Sequence, residues 1–170
     1  DNGSTAVADG ATSNGVTKRL LIDGELVTTD RTFASYNPAT GDIVGHAPDA
    51  GVEEAEAAIK AARRAFDTTT WSTDVEFRAK CLDQLYQALR DNVEELRELT
   101  IAEVGAPRIL THGNQLDAPI EIVKYYAELL RNTPFTEELG EVEFRGQPHR
   151  RWVEKEAAGV VAAIVAYNYP

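Results

Sequence analysis

Few side chains in this sequence have the type and spacing to do chemistry. Near its end Asn168 stands between Tyr167 and Tyr169, directly after an apolar run over residues 160–166. By spacing alone, Asn168 is a strand-end turn residue, a common place for asparagine. The end of a parallel strand is also where open α/β sheets place ligands. The only thiol, Cys81, lies in RAKCLDQLYQAL beside Leu82, with no histidine near it in sequence. An activated thiolate needs a base, a helix N-terminus or a cationic setting, so Cys81 reads as a packing residue. His46, His112 and His149 fall on separate elements and match no metal signature, so the expected metal set is none. They read as turn or surface residues. EEAEAAIK and EELRELTIAE are solvated helix faces rather than acid/base pairs, and Glu103 and Asp117 read as surface charge.

The elements that would position Asn168 follow from the pattern around it. Residues 160–166 are apolar throughout and rich in β-branched types, the pattern of a strand covered on both faces of a parallel sheet. Such a strand needs a following helix and strand, which predicts that the chain is cut inside an α/β sheet. Upstream, Asp23-Gly24 predicts a tight turn between two strands in RLLIDGELV. Asn37-Pro38 and Thr40-Gly41 mark a turn before the extended stretch DIVGHA.

Four helical patterns come next. One face carries Val52, Ala55, Ile59, Ala62 and Phe66, and a second carries Val75, Ala79, Leu82, Tyr86 and Leu89. A third helix, capped by Asp91 or Asn92, runs through Leu96 and Thr100 to Val104 and stops at Gly105. The fourth presents Leu116, Ile120, Val123, Ala127 and Leu130, with Pro119 marking either its start or a kink. GEVEFRGQPHRRWVEKE then alternates around a turn at residues 145–148, which predicts a β-hairpin with Trp152 and Val153 on opposite faces. A two-stranded ribbon has no core of its own, so it is expected to lie on another domain or subunit.

Bulk composition excludes some classes. The 170 residues carry 28 acids against 17 bases, a net charge of −11, which leaves no excess cation for nucleic acid. No apolar run is long enough to span a membrane, and one cysteine permits no internal disulfide. Residues 1–18 lack the basic and apolar regions of a signal peptide and read as a flexible polar tail. A cytoplasmic location is expected. The chain contains no methionine, which fits an internal or trimmed fragment.

The order and wording of these pieces resemble the aldehyde dehydrogenase superfamily. The resemblance runs through DGE, NPATGDIVGHAP, EEAEAAIKAARRAF, the helix after TTTWS, EVGAP, KYYAELL and GVVAAIVAYNYP. Their order over nearly all of the chain beyond the tail carries the likeness. It implies an α/β fold, with residues 19–138 as the leading, mostly helical part of a Rossmann-like cofactor domain. Residues 139–157 would be the first hairpin of an oligomerisation ribbon, and residues 158–170 an incomplete core strand of the cofactor domain. It also implies a homodimer or homotetramer joined through that hairpin, while charge and run length argue against a nucleic-acid or membrane partner.

The implied reaction oxidises an aldehyde to a carboxylic acid with NAD or NADP through a cysteine thiohemiacetal. Asn168 matches the asparagine of the family's Pro-Trp-Asn-Phe-Pro motif, whose amide donates to the oxyanion. Val165, Ala166, Tyr167 and Asn168 would line the cofactor, and Tyr169 the aldehyde's path. Three departures stand out: Ala166 where proline is usual, Tyr167 where tryptophan is usual, and Ala157 where proline precedes the glycine-valine strand. The family's nucleophile, base and ribose-holding residues have no counterpart among these residues, so the polypeptide alone is expected to be inactive. Relatives that reduce acyl phosphates or acylate coenzyme A share this leading part. The competing expectation is a non-enzymatic helical interaction module, in which the four amphipathic helices close a bundle.

Overall fold

The computed structural model describes residues 19–165. The first two strands, β1 (Leu20–Ile22) and β2 (Glu25–Val27), pair antiparallel with Ile22 opposite Glu25. Asp23 and Gly24 both have positive φ, 56° and 81°, the two-residue turn whose twist suits a hairpin. A second hairpin joins β3 (Thr32–Tyr36) to β4 (Ile43–Pro48) through the NPATG turn. There the Asn37 side chain accepts from Ala39 N at 2.9 Å, and Gly41 N donates to Asn37 O at 2.8 Å.

The four helical patterns form helices where the sequence places them. These are α1 (Val52–Thr68), α2 (Val75–Asp91), α3 (Val93–Val104) and α5 (Asp117–Asn132), with a short α4 (Arg108–Thr111) added. Pro119 lies in the first turn of α5, where its missing N–H has no intrahelical partner to lose. Asn92 occupies the N-cap of α3, but its side chain donates back to Ala88 O at 2.8 Å and closes α2 instead. Asp74 caps α2 by accepting from Phe77 N at 2.8 Å. Gly105 ends α3 with φ 67°, and a β-carbon there would lie 2.8 Å from Pro38 Cγ. The NPATG turn and the EVGAP helix end therefore touch.

Helices α2 and α5 pack antiparallel. Arg131 at the end of α5 meets Glu76 in the first turn of α2 and Asp83 midway along it, while Glu121 near the start of α5 meets Tyr86 and, at the far end of α2, Arg90. Ala79 and Ala127, both fully buried, let the two backbones approach. The two predicted apolar faces are the ones that meet. The face of α1 behaves otherwise: Val52 and Ile59 remain 75 % and 58 % exposed, because no other described element covers them.

The last hairpin joins β5 (Thr136–Phe144) to β6 (Gln147–Glu154). It begins earlier than the expected boundary at 139, and its ladder ends at Glu154. Its turn is the pair Arg145-Gly146, both with positive φ, and Pro148 lies within the ladder opposite Glu143 rather than in the turn. Proline at that register gives up only its own N–H. Every residue of the two strands is exposed.

Residues 160–165 depart from expectation. They form no ladder, and Ile164 is 96 % exposed. A strand covered on both faces requires neighbours on both sides, and the described residues form only two-stranded antiparallel sheets.

Candidate functional site

Asn168, Ala166, Tyr167 and Tyr169 lie outside the described residues. Of the expected site residues, Val165 alone is described, and it is 87 % exposed. The segment leading to it leaves the hairpin at Lys155, whose N–H donates to Phe135 O at 2.8 Å and ties the two strand bases together. It then passes Gly159, which has φ 120° and lies close to the guanidinium of Arg63 on α1. Arg63 is held by Asp67 and stacks over the Phe66 ring at 4.3 Å. The approach to the candidate site is thus tied at the hairpin base and passes beside α1. Beyond Gly159, the side chains of Val161, Ile164 and Val165 are largely exposed.

The other residues with candidate chemistry do not converge on that segment. Cys81 is half-buried in the middle of α2, away from either helix end. His46 is in β4, His112 follows α4, and His149 in β6 stacks edge-on to Phe144 at 6.0 Å. Among the described residues no three His, Cys, Asp or Glu side chains gather as a metal-binding group.

Asp117 corrects its reading as surface charge. It accepts from Arg97 Nη2 at 2.9 Å, and Arg97 is only 2 % exposed. The same guanidinium donates to Thr111 Oγ1 at 2.9 Å and to Glu94 at 3.2 Å, while Thr111, fully buried, donates to Arg108 O at 2.6 Å. His112 Nδ1 stands 3.5 Å from the other oxygen of Asp117. Burial opposes the charge of Arg97, but the hydrogen bonds to Asp117 and Glu94 more than offset it, so its pKa is raised. One buried cation therefore clamps α3, α4 and the first residue of α5. The sequence does carry a signal for it. Arg97 falls in the series Val93, Arg97, Thr100, Val104, a charge on the inward face of a helix. On the exposed side of the α2–α5 pair, Glu76 and Asp83 both accept from Arg131 and raise its pKa.

Two concavities stand out among the described residues. An apolar groove of about 460 Å³ runs along α2 and α5, lined by residues such as Leu82, Ile122, Tyr126 and Leu129. A more polar cleft of about 550 Å³ lies at the hairpin base, between Phe66, Arg78, Phe135 and Lys155. In the second, Arg78 is already spent on Trp71 O at 2.5 Å.

Comparison with known proteins adds the rest. The model of the aldehyde dehydrogenase family matches residues 26–170. The 3-sulfolactaldehyde dehydrogenase of Pseudomonas putida is 36 % identical over 156 residues, which cover 90 % of this chain and 31 % of that protein. The NAD+ complex of an aldehyde dehydrogenase from Bacillus cereus superposes with a TM-score of 0.67 at 29 % identity, over 72 % of this chain and 26 % of that one. An aldehyde dehydrogenase of Mycobacterium tuberculosis, solved with NAD+, shares the fold with a TM-score of 0.69 at 24 % identity, over 75 % and 27 %. The chain spans about a third of the length of the curated relatives it matches.

Proposed function

Because the chain belongs to the aldehyde dehydrogenase family, we propose that it is the leading part of an enzyme that oxidises an aldehyde to a carboxylic acid with NAD or NADP. The observation that carries this reading is the family match over residues 26–170, which includes the stretch ending in Asn168. When bound, NAD or NADP supplies the hydride acceptor. The residues of this chain hold and polarise. The backbone at Val165, Ala166 and Tyr167 runs beside the cofactor, and Tyr169 borders the aldehyde's path.

Asn168 has the central role. Attack of a cysteine thiolate on the aldehyde forms a thiohemiacetal and leaves negative charge on the former carbonyl oxygen. The Asn168 carboxamide donates a hydrogen bond to that oxygen. An amide suits the task because it donates without bringing a charge of its own beside the thiolate. In this reading Cys81 is not the nucleophile, since it sits mid-helix in α2 with no base beside it. The 170-residue polypeptide alone is therefore inactive.

The hairpin joins copies of the protein into a homodimer or homotetramer. Residues directly opposite in a ladder share a face. The register puts Val142, Phe144, His149 and Val153 on one face, and Glu138, Glu141, Glu143 and Trp152 on the other. The first face carries the larger apolar surface and fewer charges, so it is the one that docks.

The bundle reading is disfavoured by α1, whose apolar face leaves Val52 and Ile59 exposed. A helical module closing on itself would cover that face.

The test is aldehyde-dependent formation of NADH or NADPH by the whole protein that contains this segment, assayed with 3-sulfolactaldehyde and a series of aliphatic aldehydes. Turnover with any of them supports the reading. A folded, cofactor-binding protein that turns over none of them, but accepts acyl phosphates or acyl-coenzyme A, would replace it with a different chemistry on the same fold.

A further inference from the structure

We draw no further inference here: the strongest candidate, the apolar groove between α2 and α5 lined by Leu82, Ile122, Tyr126 and Leu129, carries nothing because nothing in the structure shows what covers it.

Discussion

Pro38 rests against Gly105 so closely that a β-carbon at position 105 would come within 2.8 Å of the proline Cγ. One residue belongs to the turn between β3 and β4, the other to the end of α3, so the contact fixes a hairpin onto a helix terminus. Glycine is needed at 105 for two separate reasons, its φ of 67° and the closeness of Pro38. Gly105→Ala should destabilise the protein by about 1–3 kcal/mol, the range for a side chain forced into a left-handed conformation. Pro38→Ala in the same background should recover the steric part of that loss. Urea unfolding of the two single variants and the double variant reads the coupling directly, and additive losses would show that the contact is not tight.

The Arg97–Asp117 pair predicts an asymmetric response. Arg97 is almost wholly buried, whereas the Asp117 side chain keeps 28 % of its surface. Asp117→Ala leaves the buried cation with only the exposed Glu94 as counter-charge and should cost about 3 kcal/mol. Arg97→Met leaves behind a carboxylate that water can reach, and should cost less. The raised pKa of Arg97 means that its stabilisation is complete below the ordinary guanidinium range and fades only above it, so its half of the pair is constant at working pH. Thermal melts of both variants decide the matter, and a larger loss for Arg97→Met would contradict the burial argument.

Cys81 offers a sharp negative. It is half-buried on α2 and packs as a small apolar group. Cys81→Ala in the whole enzyme should leave kcat within about twofold and lower stability by about 1 kcal/mol. Loss of turnover with the fold intact would return the thiol to the chemistry.

The hairpin register predicts which face docks. Val142→Asp together with Phe144→Asp places two charges on the apolar face. Burial of a large apolar side chain stabilises by about 1.5–3 kcal/mol, so losing two should weaken assembly at least about a hundredfold. Sedimentation velocity should then show the protomer. Charge reversal at Glu141 and Glu143, on the opposite face, should leave the assembly unchanged. The reverse pattern would put the other face in the interface.

Much of the fold was legible because it is locally encoded. The period of α2 and α5 marks out the faces that meet, and the Asp23-Gly24 turn carries its own glycine. The Arg145-Gly146 turn lies earlier than the 145–148 pattern suggests, because Pro148 resembles a turn residue and only the ladder shows its partner is Glu143. The Arg97 clamp is not legible in the pattern because two of its partners lie 14 and 20 residues away on two other elements, a distance that no periodicity reports. The face of α1 and residues 160–165 illustrate the opposite limit. Their apolar patterns state a need for cover that local sequence cannot assign to a neighbour.

Asn168 carries the proposed chemistry. The decisive measurement is steady-state aldehyde oxidation by the whole enzyme and by its Asn168→Ala variant, with a thermal melt and cofactor titration to show that fold and dinucleotide binding survive. If the carboxamide donates to the developing oxyanion, kcat should fall by about 10²–10³ with cofactor affinity nearly unchanged. A variant that keeps kcat within about twofold of the parent would contradict the role given to Asn168, since an oxyanion donor cannot be removed at so small a loss.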